Sequence, residues 1–396
     1  MEKNEKNMLT HSLILLLSIT CGVVVANMYY IQPIGTKVAA SLSVSTSAIG
    51  ILTMLTQLGY AVGLLFLVPL GDVVDRPKLI IRMSALSAIS LLAAFFAPSF
   101  TLFACASFLI GLLSIVPQVI IPYGAVLAGP KVRGKVIGTL LSGLLVGILL
   151  SRTISGLVAS LFSWRMIYLF ALVTVVLLTG LLYWKLPRTQ TIAKTEFSYL
   201  DSLKSLPHLV KSQRLLREAS ISGFFMFGTF SIFWSTLIFY ISSPVYHWGT
   251  FEAGILAVFG LSGAIAAPIV GRLADSYSER KIVGMGLVMQ TISFIALLVA
   301  GGHLIVMLLA IILLDVGNQF GQVANQTRVQ GLDETASNRN NTVFMFMYFI
   351  GGATGSLLGT AMWQHYGWVG VTGIGLVFQG CAFFFQTIVF RERTGE

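Results

Sequence analysis

Asp315 is the acidic residue that falls deepest inside an apolar stretch of this 396-residue sequence, and other polar residues share its face. Counted from His303, it stands about 12 residues, or roughly 18 Å, along the helix that the apolar pattern predicts. On a wheel of about 100° per residue, Asp315, Gln319, Gln322 and Gln326 fall together, with Asn318 and Asn325 beside them. A low-dielectric setting disfavours the charged form of a carboxyl group, so one at this depth can take up and release a proton or hold a cation. The amides beside it would contact a solute. The competing reading gives Asp315 a structural hydrogen bond that holds its helix.

Arg152 is the basic counterpart, about 16 residues or roughly 24 Å into its own apolar stretch. A guanidinium there either snorkels to the far interface or stands in a cavity, where it binds an anionic solute or pairs with a carboxylate. Further polar residues share helical faces: Asn27 with Tyr30; Thr53 and Gln57 with Tyr60; Ser107 and Gly111 with Ser114 and Gln118; Trp234 lies near Tyr240. Each alone is as well explained by packing between helices. Together they suggest a cavity walled by Asn27, Tyr30, Gln57, Gln118, Arg152, Trp234, Asn318, Gln319, Gln322 and Gln326.

These residues need a scaffold, and composition names it. Hydrophobic residues make up 56% of the chain and charged residues 10%, against roughly 25% charged in soluble domains. Lipid is the solvent that fits. A span takes roughly 20 residues, and twelve apolar stretches qualify: 12–32, 48–69, 79–97, 102–127, 136–157, 167–184, 219–241, 253–270, 282–300, 304–323, 343–363 and 369–389. The expected fold is all-α and integral to the membrane, with almost no aqueous domain.

The net charge of +10 does not point to nucleic acid, because the basic residues gather in alternate loops. With the N-terminus inside, 22 of the 25 Lys and Arg fall on the cytoplasmic side, leaving Lys37, Arg165 and Arg152. Both termini are then cytoplasmic, in a cell membrane. No small-x-small site follows the first apolar run, so it reads as an uncleaved helix. Cys21, Cys105 and Cys381 sit inside spans and predict no disulfides.

A polar stretch at mid-chain divides the spans into two pseudo-symmetric bundles of six: residues 1–190, a cytoplasmic linker at 191–217, and residues 218–396. Gly71, Asp75 and Arg76 after the second span recur 200 residues later as Gly271 and Asp275, followed by Arg280 and Lys281. Parallel halves are one known transporter plan, with the solute site between them. The glycines would let a helix end approach its neighbour, and the aspartates would cap the next helix and pair with nearby cations. Such a clasp would hold one access state and release in the other. Pro117 and Pro122 should break the fourth span. Gly351, Gly355 and Gly359 read as a packing row on the eleventh span.

No cofactor or metal site is expected. Residues 129–135 have phosphate-loop spacing, but Val136 replaces the magnesium-binding hydroxyl and no strand precedes. The five histidines lack metal-ligand spacing, and no span pairs a nucleophile with a base. An enzyme is not expected.

The loop pattern from Gly271 to Lys281, and its shortened copy from Gly71 to Lys78, resembles the cytoplasmic signature of the major facilitator superfamily. Span count, repeat, central loop and the Trp164–Arg165 pair opening the sixth span extend the likeness over the whole chain. In the fifth span, Gly138, Gly147, Ser151, Arg152, Ser155 and Gly156 resemble the antiporter motif of the drug:proton branch, with Ser-Arg and Ser-Gly where that motif has Gly-Pro and Gly-Gly. Ser107 stands where the family's signature arginine would be. Residues 27–33 resemble a branch of efflux permeases.

The resemblance implies proton-coupled efflux of a small amphipathic solute by alternating access. Asp315 would exchange protons, and Gly71, Asp75, Arg76, Gly271, Asp275, Arg280 and Lys281 would form the gate. The partners are a small solute, protons and the bilayer, the protein acting as a monomer. Two rivals remain: uptake or export of an organic anion bound by Arg152, and a membrane sensor that transports nothing.

Overall fold

The computed structural model describes residues 10–187, 199–273, 276–333 and 336–390, without the side chains of residues 72, 129–131 and 300. No strand occurs among the described residues, and eleven helical stretches are long and apolar enough to cross a bilayer. Six come first: His11–Leu42, Thr46–Phe66, Arg76–Phe96, Phe100–Ala128, Val132–Leu161 and Met166–Lys185. Arg214–Ile241, Thr250–Leu273, Glu279–Val299, Leu304–Gln330 and Ser337–Val389 follow. The last has 53 residues, about 80 Å of helix and more than twice the hydrocarbon thickness. Gly367 divides it, with φ 59° and ψ −148°, a backbone region that glycine enters freely. The chain thus crosses twelve times, as expected.

Prolines shape two spans. Pro33 cannot donate to the Tyr29 carbonyl, and its ring crowds that oxygen. The first span accordingly tightens over residues 27–30, where Met28 N donates to Val25 O (3.2 Å) and Tyr29 N to Ala26 O (3.0 Å). Pro117 acts likewise on Leu113, and the fourth span breaks at Ser114 and Ile115. Pro122, expected to break the span too, lies within continuous helix. Gly124 packs against Val136 and Leu140. A straight helix would hold those residues about 18 Å or more away, so the chain reverses between the fourth and fifth spans.

The sequence repeat is a packing repeat. The first span packs on the fifth and the seventh on the eleventh; the second packs on the fourth and the eighth on the tenth. A Cβ on Gly147 would fall on the backbone of Gly22, and one on Gly355 on the backbone of Gly228. Small residues let membrane helices touch backbone to backbone. Gly351 and Gly359 face the backbone of Phe224 and Ile232 in the same way.

The halves meet along two seams that the pseudo-twofold exchanges, second span on eleventh and fifth on eighth. In the first seam, Gln57 Nε2 donates to Ser231 Oγ (3.4 Å) and Ser356 Oγ (3.3 Å). In the second, Thr153 Oγ1 donates to Gly254 O (2.8 Å). A linker helix, Tyr199–Ser212, buries Leu206 and Leu209 and exposes Lys204, Pro207, His208 and Lys211. It straps both halves at one end: Tyr199 Oη donates to Phe66 O (2.9 Å), and Ser205 Oγ accepts from Arg339 Nη1 (2.9 Å).

Candidate functional site

Arg152 is 1% exposed, which removes the snorkelling reading. Its Nε donates to Gln32 Oε1 (2.6 Å), a residue just beyond the Pro33 break of the first span. Its Cζ lies 4.2 Å from the ring centroid of Trp234, 5.1 Å from Tyr29 and 5.6 Å from Phe230. Aromatic faces carry negative quadrupole charge and hold such a cation in a dry setting. Nη1 and Nη2 have no hydrogen-bond partner among the described residues.

Asp315, 5% exposed, projects from the tenth span toward Gly260, where the eighth span changes direction between Phe259 and Leu261. A Cβ on Gly260 would stand 3.0 Å from Asp315 Oδ1, so the missing side chain makes room for the carboxylate. Asp315 Oδ2 has no hydrogen-bond partner among the described residues. Arg152 and Asp315 attract one another across the gap between the halves.

Both groups wall a central cavity of about 110 Å³, with Tyr29, Tyr60, Gln118, Asn318, Gln319, Gln322, Tyr348 and several phenylalanines. Gln118 Nε2 donates to Tyr60 Oη (3.0 Å); Tyr348 Oη accepts from Asn318 Nδ2 (3.0 Å) and donates to Gln322 Oε1 (3.2 Å). Gln118 and Met345 also line a vestibule of about 560 Å³ that runs to the linker end, past Arg76, Arg133, Gln326 and Arg339. The opposite end is shut. Gly35 packs on Phe239 and Ile238, the Phe239 and Trp363 centroids are 6.4 Å apart, and only about 10 Å³ remains between Gln32, Arg152, Trp234 and Leu237.

The sequence profile of the Major Facilitator Superfamily matches residues 17–355 and again 246–396. This chain belongs to that superfamily. It is 37% identical over 363 residues to the uncharacterized transporter YgaY of Escherichia coli O157:H7, covering 92% of each chain. It is 28% identical to SCO4007 of Streptomyces coelicolor, named a probable transporter, over 91% of this chain and 83% of the other. Its fold matches a bacterial homolog of the human lysosomal transporter Spinster, solved inward-facing and unoccupied, with a TM-score of 0.77, 13% identity and coverage of 97% and 98%. A major facilitator of this kind is a multi-pass membrane transporter and not an enzyme, and the sensor reading falls away.

In this major facilitator the expected cavity residues divide. Arg152, Asp315, Asn318, Gln319, Gln322 and Gln118 line the central cavity, Gln326 lines the vestibule, and Trp234 closes the far end. Asn325 turns into the C-terminal bundle, donating to Ser222 Oγ (3.4 Å). Gln57 bridges a seam instead of facing solute. Tyr30 is a correction: its carbonyl accepts from Ser155 Oγ (2.6 Å) inside the N-terminal bundle, and Tyr29 takes the cavity position. Asn27 is likewise buried away from the cavity and vestibule walls. The Pro33 break resets the register here, so an unbroken helical wheel picks the wrong faces. Gln32, Tyr29 and Tyr348 were missed, although the first two lie in the polar segment 27–33.

The gate residues are less uniform than their spacing. Asp75 Oδ1 accepts from Lys78 N (3.2 Å) at the start of the third span, and its Oδ2 lies 3.7 Å from Lys78 Nζ. Arg76 Nε donates to Gly71 O (2.8 Å). The expected close approaches at the two glycines are absent. A Cβ on Gly71 would meet only ordinary contact with Val119 at 3.5 Å, and one on Gly271 nothing within 4 Å. Gly71 instead lines the vestibule. Asp275 lies outside the described residues. Lys281 is exposed.

Arg280 lies 3.3 Å from Glu218 and donates to Phe390 O (2.6 Å) and to Gln386 O at the end of the twelfth span. Glu218, 7% exposed, also pairs with Arg328 at 3.2 Å. The sequence reading passed over Glu218 because it falls where the linker meets the seventh span.

Proposed function

We propose that this major facilitator exports a small amphipathic solute in exchange for protons, by alternating access. Asp315 carries the proton and Arg152 balances its charge. The observation that carries this reading is the pair itself: opposite charges on opposing halves, buried in one cavity, each with a polar atom left without a well-formed hydrogen bond among the described residues. A bare carboxylate at this depth costs about 2.5–3.5 kcal/mol on insertion scales. Arg152 offsets that cost while Asp315 is ionised. Protonation leaves the guanidinium unbalanced and biases the halves toward rearrangement.

The likeness of the fifth span to the antiporter motif supports export. The basic residues at the linker end support a cytoplasmic linker and termini, in the cell membrane, and hence a cytoplasm-open vestibule. Asp75, Arg76, Arg280 and Lys281 would act when that vestibule shuts. One chain holds the whole cavity, which supports a working monomer.

The test is reconstitution in vesicles with an imposed pH gradient and an internal pH dye, challenged with a panel of amphipathic compounds. Compounds that release protons from wild-type vesicles should release none with Asp315→Asn. Unchanged proton release in that variant would sink the coupling assignment.

A second reading has its own support. Arg152 offers two unsatisfied nitrogens, and the vestibule lining described here includes three arginines and no acidic residue. Under that reading the solute is an organic anion. Arg152→Gln would then abolish transport of anions and spare neutral compounds.

A further inference from the structure

Beneath the linker helix, on the other side of Leu206 from the vestibule, lies an apolar pocket of about 390 Å³. Leu206, Pro207 and Val210 of the helix roof it, Leu65 of the second span forms one wall, and Phe346 and Met347 of the eleventh form another. An apolar hollow of this kind is not a place for ordered water. It sits at a seam between the halves, near the end of the second span and the start of the seventh. In a bilayer the fluid at hand there is lipid.

Charge decides which lipid. Pro207 both walls the pocket and is exposed, so it marks the mouth. Lys204 and Lys211, three residues before it and four after, share its exposed face of the helix. Arg217 also lines the pocket, where Nη1 donates to Val210 O (2.8 Å) and Lys211 O (2.5 Å) at the end of the linker helix. A hydrophobic slot with cations at its rim matches an acyl chain below a negative headgroup.

We propose that this pocket binds one anionic phospholipid of the surrounding bilayer, its acyl chain against Phe346 and Met347 and its phosphate at Lys204 and Lys211. The wall residues come from both halves, so the bound lipid bridges the seam.

The experiment is native mass spectrometry of the full-length protein released from nanodiscs holding equal phosphatidylglycerol and phosphatidylcholine. Wild type should retain one phosphatidylglycerol in preference, by about fivefold for each basic residue engaged. The double substitution Lys204→Gln, Lys211→Gln should remove most of the preference. Met347→Trp, which fills the slot, should lose the lipid, and Ile221→Phe is the second filling variant should the first fail to fold. Equal retention of both lipids by wild type, or none of either, overturns the proposal. So does undiminished lipid in a folded filling variant.

Discussion

Arg152 of the fifth span rests its guanidinium 4.2 Å from the ring centroid of Trp234 in the seventh, joining the two halves at the shut end of the cavity. The same guanidinium looks the other way into the cavity that Asp315 lines. One side chain thus belongs to the solute chamber and to its seal. Under the proposed exchange, a change in the charge beside it would act on the closure.

Trp234→Leu should loosen that closure. A desolvated cation–π contact is worth about 2 kcal/mol, or roughly a factor of 30 in an equilibrium. A cysteine placed at Leu237 should then react faster, by about that factor, with a membrane-impermeant maleimide applied from the shut side. An unchanged rate would mean that the seal does not depend on this contact.

Glycines of the fifth span should differ sharply in their tolerance. Gly147→Ala puts a methyl onto the Gly22 backbone, and such overpacking costs about 1–3 kcal/mol. Gly138→Ala meets nothing within 4 Å and should be neutral or stabilising by up to about 1 kcal/mol from helix propensity. Thermal melting of the two purified variants in one detergent checks this. Equal losses would refute the packing account.

Glu218→Gln should be far more damaging than Lys281→Gln. Removing one partner of a buried ion pair typically costs about 3–5 kcal/mol, because the remaining charges are stranded. Here Arg280 and Arg328 would both lose this carboxylate while keeping their bonds to Gln386 O, Phe390 O and Asn325 Oδ1, so the loss should fall toward the low end of that range. Lys281 is exposed, and exposed charges contribute about 1 kcal/mol or less. Denaturation midpoints of the two variants give the comparison.

The span count, the repeat and the polar wedge of the tenth span were legible in the sequence, because each rests on a one-dimensional property. Lipid demands apolar runs, and a midplane carboxylate demands polar company. Asp315, Asn318, Gln319 and Gln322 needed nothing else. Tyr29 as a cavity residue and Gln32 as the partner of Arg152 were not legible, since their direction depends on how the chain recovers from Pro33. Gln57 shows a different limit: a buried amide on the inner face of a span can serve solute or the opposing half, and only the position of Ser231 and Ser356 decides. The loose packing at Gly71 and Gly271 shows a further limit, since glycine spacing marks where helices could touch and not whether they do.

The seal beside Arg152 also bears on the energy supply of the cell. The space left there, about 10 Å³, is at the lower limit for housing a single water molecule. A file of several waters does not fit in that space. Vesicles crowded with copies of this protein in this state should therefore hold an imposed pH gradient.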